Sequence, residues 1–182
     1  MPLKIKFFLW YLKRGVIVTK DNLLKIRWKG DSKCNLCGLD ENIQHLFFEC
    51  RVARFIWNML FITFNIQPPK PTSHMFGSWI RRFAPGLRKQ MIVGIAAFCW
   101  VLWLNRNDAV FQNLFAKSYL QVIFRWTFWI QHWSLLSKEQ ERRMIEDGCR
   151  QLERVALQLF GSWKNQKRLV WFASRSMAGL SF

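Results

Sequence analysis

The chain has 182 residues, 51% of them hydrophobic, with 11 Trp and 17 Phe. It can bury a real core as one medium domain or two small ones, and a disordered chain is excluded. Its 28 basic side chains against 11 acidic ones give a net charge of +17 and a pI near 10.4. Such self-repulsion points to anionic partners: nucleic acid first, an anionic membrane surface second, with a basic protein lacking a specific ligand as the plain alternative.

Residues 3–14 place Ile5, Phe8, Leu9 and Leu12 at helical spacing, with Lys4, Lys6, Lys13 and Arg14 on other faces, and Gly15 ends the segment. The basic start and the apolar run Phe7–Leu12 resemble a signal peptide only in outline. The run is six residues, and Lys13-Arg14 follows where small residues belong. Thr19 is a candidate N-cap for a second helix from Lys20 to about Trp28. "KGDSK" then makes a turn, and "DENIQHLFFEC" offers Asp40 as N-cap and Ile43, Leu46 and Phe47 as a helical face. "RVARFIWNMLFIT" continues helically. "IQPPKPTSH", with three prolines in nine residues, is the clearest linker.

Beyond it, a short helix over Phe76–Phe83 and a long one over Leu87–Gln112 are expected. The 14 apolar residues Met91–Leu104 fall short of the roughly 20 that cross a bilayer and read as a buried core helix. Ser118 can cap Tyr119–Leu136, and Ser137 with Gln140 forms a capping-box pattern for a last helix to about Trp163. There Ile145, Cys149, Leu152, Ala156, Leu159 and Trp163 form a short a/d seam, expected to pack within the chain. The expected class is all-α: a small zinc-stabilised helical domain (1–66), a Pro-rich linker (67–75) and a helical region with long apolar helices (76–182).

Three of the five cysteines and one of the three histidines fall in "CNLCGLDENIQHLFFEC", spaced C-x2-C-x7-H-x4-C. Three thiolates and an imidazole are a standard tetrahedral set for Zn²⁺, so Cys34, Cys37, His45 and Cys50 are the candidate ligands. Gly38 allows the tight loop after the first pair. With all four positions filled by protein, one zinc would be structural, with no vacancy for catalysis. The complex would carry −1, which Lys33 and Arg51 could offset. A Cys34–Cys37 redox pair lacks the strand-rich setting such a motif needs, and His45 alone would be an ordinary half-buried histidine. Cys99 and Cys149 read as buried residues, and His74 and His132 have no role. Clustered thiols place the chain inside the cell, in nucleus or cytoplasm, and not among secreted proteins.

"PLKIKFFLW", "TKDNLLKIRW", "CNLCG", Glu41, "QHLFFEC" and "ARFIW", across about residues 2–57, resemble the zinc-binding domain that follows the reverse transcriptase of plant LINE-type (non-LTR) retroelements. "CWVLWLNRNDAVF", Cys99 to Phe111, is similar to a segment common in the tails of those reading frames. The resemblance implies zinc on the same four residues. It brings no polymerase activity, because Asp21, Asp31, Asp40, Asp108 and Asp147 are scattered and no adjacent pair exists. Met1-Pro2 begins where the family motif begins, so a tail fragment is expected: an excised gene model, a decayed element or a domesticated protein.

The first 33 residues carry nine basic side chains against two acids. Lys25, Arg27, Trp28, Lys29 and Lys33 are candidates to bind RNA or single-stranded DNA, with Trp28 stacking on a base between Arg27 and Lys29. Alternatively Trp28 caps the core and the lysines are a solvated face. From another class, the chain could be a scaffold that docks its aromatic helices on the polymerase or another protein, since 11 Trp exceed a small core's usual need.

Overall fold

The computed structural model describes the backbone of residues 1–177 and the side chains of residues 1–161. The protein is all-α. Among the described residues there is no strand, only an isolated antiparallel bridge between Lys33 and Asp40. In chain order the helices are α1 (Leu3–Arg14), α2 (Lys20–Lys25), α3 (Arg51–Phe64), α4 (Thr72–His74), α5 (Pro85–Phe111), α6 (Tyr119–Ser134) and α7 (Glu139–Met177). Two π-helical turns, His45–Glu49 and Met75–Trp79, lead into α3 and follow α4.

Helix α1 buries Ile5, Phe8 and Leu12 of the predicted face and leaves Leu9 half-buried. Each such side chain removed from water contributes about 1.5–3 kcal/mol before entropy. Gly15 closes the helix at φ 74°, and its N–H and that of Val16 donate to the Leu12 and Tyr11 carbonyls. Helix α2 stops at Lys25, short of the expected Trp28, because Arg27 takes φ 64°, outside helical space. Thr19 stands at its N-cap, but its hydroxyl donates to Asp21 Oδ1 at 2.5 Å rather than accepting an amide. Asn65 in the left-handed region ends α3.

The segment read as a linker is held on both sides. Gln44 Nε2 donates to the Lys70 carbonyl at 3.0 Å, and Trp79 Nε1 to that of Gln67 at 2.7 Å. Helix α5 runs through the middle of the core, burying Val93, Ile95 to Cys99, Val101 and Leu102. Its 27 residues are long and apolar enough to cross a membrane by length and composition. Here they pack against α1 and α6.

Ser118 caps α6 as expected, its Oγ accepting from the Gln121 N–H at 3.3 Å. Helix α7 begins two residues after Ser137, with the Lys138 carbonyl taking the Arg142 N–H. The seam packs intramolecularly: Ile145, Cys149, Leu152 and Ala156 are buried, and α7 lies on α6 and α3. Leu159 is 42% exposed, and the Trp163 side chain lies outside the described residues. Much of the tryptophan complement is core. Trp57, Trp79, Trp126 and Trp133 are buried, and Trp57 meets both Trp79 and Phe98 ring to ring.

Candidate metal centre

The first two ligands sit on a knuckle. The Leu39 carbonyl takes the Cys34 N–H at 2.6 Å, and the Cys34 carbonyl takes those of Cys37 and Gly38 at 3.2 and 2.8 Å. The loop reverses at Gly38, whose φ of 80° would strain any residue bearing a Cβ. The Lys33–Asp40 bridge closes its base.

The other two ligands sit at the ends of one π turn. In an α-helix, residues five apart lie about 140° around the axis from one another. The wider π turn instead closes an i→i+5 bond, Cys50 N–H to the His45 carbonyl at 2.6 Å, and so suits the x4 spacer. Asn42, not Asp40, caps this turn, its Oδ1 accepting the His45 N–H at 2.7 Å. Asp40 instead faces Ser32 and Lys33. Cys50 then leaves helical space at ψ 142° and becomes the N-cap residue of α3, where the helix dipole favours a thiolate.

These folds bring Cys34, Cys37, His45 and Cys50 together, their ligand atoms all within 4.8 Å of one another. Cys34, His45 and Cys50 are buried and Cys37 is half-buried; Cys37 Sγ lies 3.0 Å from His45 Nε2. Zn–S bonds of about 2.3 Å give S···S edges of about 3.8 Å in a tetrahedron, so the four converge at the scale the ion needs. The thiols also disturb one another. Cys34 is held below the ordinary thiol range chiefly by the hydrogen bond from Cys50, with the Leu36 amide and His45 assisting against burial. Cys50 is pushed far up by the same contact and by burial, with the Val52 amide opposing. A cation among three sulfurs removes this conflict. The donor set is sulfur-rich, closed and mostly dry, and it fits one structural zinc ion.

Residues outside the ligand set support the site. Lys20 is 5% exposed, and its Nζ donates to the Lys33 carbonyl at 2.5 Å and to Asn35 Oδ1 at 2.8 Å. The buried cation at the knuckle is thus Lys20, while Lys33 points outward to Asp40 at 2.9 Å and Arg51 is exposed. Glu41, fully enclosed, accepts from the Lys20 N–H at 3.0 Å and from Arg106 of α5. The wide separation of Glu41 and Arg106 in sequence leaves no local sign of this pair.

Of the nucleic-acid candidates, Lys25 Nζ lies 3.4 Å from Asp21 and 2.7 Å from Asn22 Oδ1. Arg27 and Lys29 are exposed and have no ion pair among the described residues. Trp28 is 39% exposed and folds its ring onto Gly30, where an added Cβ would meet Trp28 Cη2 at 1.8 Å. The five residues line one chain segment beside the knuckle.

No curated protein and no solved structure matches the chain. Residues 1–57, which contain all four converging side chains, match the family model described as zinc-binding in reverse transcriptase.

Proposed function

We propose that the chain is a non-catalytic module from the tail of a plant LINE-type (non-LTR) retroelement reverse transcriptase, and that it binds RNA or single-stranded DNA. Zinc fixes the knuckle, and the segment from Lys25 to Lys33 presents charge and an open ring to the strand. The observation that carries this is Trp28. It is exposed, backed by Gly30, and flanked by Arg27 and Lys29, whose charges no acid among the described residues neutralises. Arg106, in the second resembling segment, pairs with Glu41 of the first, so the two segments pack as one unit. Residues 1–66 would be the zinc unit, 67–75 its connection and 76–182 the supporting helices. Thiolate ligation suits the reducing nucleus or cytoplasm.

Fluorescence anisotropy with a labelled single-stranded oligonucleotide at rising salt tests the reading. Binding should weaken steeply with salt, and R27Q/K29Q should flatten that slope by about 1.4, near 0.7 for each phosphate no longer neutralised. Binding indifferent to salt would sink it.

The scaffold reading draws on a different observation. Phe115, Tyr119, Phe55 and Leu159 line a groove of about 680 Å³ that reaches Leu36 of the knuckle. A protein partner would dock there.

A further inference from the structure

The charge of this protein does not reside mainly in the loop around Trp28. Lys25 and Lys33 both face aspartates, whereas α1 carries Lys4, Lys6, Lys13 and Arg14 and no acid at all. Lys6 and Lys13 have no ion pair among the described residues. They stand four residues before and three after Trp10, so both neighbour its ring on the helix surface. Trp10 is 51% exposed, with Tyr11 edge-on at 5.1 Å and the Arg14 guanidinium 5.4 Å from its centroid.

This face does not end on open solvent. Lys6, Trp10 and Lys13 form one wall of a groove of about 290 Å³, whose other wall is Phe76, Ile80 and Ile92. Among the described residues, no acidic one lines it. An apolar slot that would bury a flat ring, with a cation one turn to either side, is complementary to an unpaired base between two phosphates. A concave slot suits a membrane surface less well, because interfacial helices insert a protruding apolar ridge.

We propose that the groove between α1 on one side and the second π turn with α5 on the other is a single-strand nucleic-acid site, in which a base lies against Trp10 and its flanking phosphates meet Lys6 and Lys13. The inference rests on the nucleic-acid reading above and extends it to a second, separate binding surface.

The test uses the full zinc-loaded chain and a labelled oligothymidylate of roughly 12 nucleotides, a length within known single-strand site sizes. K6Q/K13Q should reduce the salt slope by about 1.4, two phosphates at near 0.7 each. W10L should lower affinity at least about 5-fold, the low end for removing one stack, and W10F should retain most of it. Circular dichroism identical to wild type confirms that these surface variants fold. An unchanged slope in K6Q/K13Q with a flattened one in R27Q/K29Q overturns this inference and leaves the loop reading standing. The reverse pattern supports the groove and removes the loop. Wild type that ignores the oligonucleotide but sediments with phosphatidylserine vesicles overturns both.

Discussion

Glu41 and Arg106 stand 65 residues apart and meet as a buried pair, with Arg106 Nη2 at 2.8 Å from Glu41 Oε1 and Nε at 3.1 and 3.3 Å from the two oxygens. Both side chains are almost wholly enclosed, and the guanidinium also lies 5.1 Å from the Trp103 ring. The carboxylate takes the Lys20 N–H as well, so a single ion pair ties α5 to α2 and to the residue that follows the knuckle. The zinc loop is thereby anchored to the central helix of the core.

Breaking this pair should cost more than never having had it. In R106M the carboxylate keeps only the Lys20 amide, and a loss of about 3–5 kcal/mol is expected from the stranded charge. The double variant E41M/R106M should be more stable than R106M alone, because no ion is then left unpaired. Urea denaturation of the zinc-loaded proteins measures both. A double variant less stable than either single one would contradict the account.

Thiol chemistry should divide the cysteines three to two. Burial pushes Cys99 far above the ordinary thiol range and pushes Cys149 up to about 12, with Glu153 adding to the latter, so both stay protonated at pH 8. Zinc should mask Cys34, Cys37 and Cys50. A chromogenic disulfide reagent should find no fast thiol in the loaded protein, then three after a chelator is added, ahead of the remaining two. Loss of the ion unfolds the knuckle and frees Cys50 from the burial and the Cys34 contact that suppress it. A fast thiol before chelation would argue against full ligation.

The Lys33–Asp40 pair at the base of the knuckle sets a pH window. Lys33 holds the Asp40 carboxyl below its usual range, with Ser32 adding to the effect, and Asp40 raises Lys33. The carboxylate's share of stability is full above the ordinary carboxylate pKa and is lost as pH falls through its lowered value. The ammonium's share is full below the ordinary lysine pKa and is lost as pH rises through its raised value. Both groups are exposed, so the contribution to stability is small. K33Q should move the Asp40 midpoint upward in a carboxyl NMR titration, part of the way because Ser32 remains. An unmoved midpoint would show that the ion pair does not form in solution.

How far the sequence could be read depended on the range of the signal. The four ligands were visible because thiols and imidazole at short spacing have few other reasons to cluster. The core face of α1 and the Ser118 cap were visible because each is decided within a turn or two of helix. The end of α2 was not, since the left-handed backbone at Arg27 leaves no mark in residue type. Asp40 was read as the cap, but the knuckle holds it in its bridge with Lys33 and Asn42 caps the turn instead. The π turn replaced an expected α-helix because His45 and Cys50 must face one point. Glu41 and Arg106 each lie in a segment that carries the resemblance, but their pairing was not legible because 65 residues separate them.

The central claim is a closed zinc site, and X-ray absorption at the zinc edge of the purified protein tests it most directly. One zinc per chain is predicted, with three sulfurs at about 2.3 Å, one nitrogen at about 2.0 Å and no further ligand. A bound water oxygen, or fewer than three sulfurs, would contradict it.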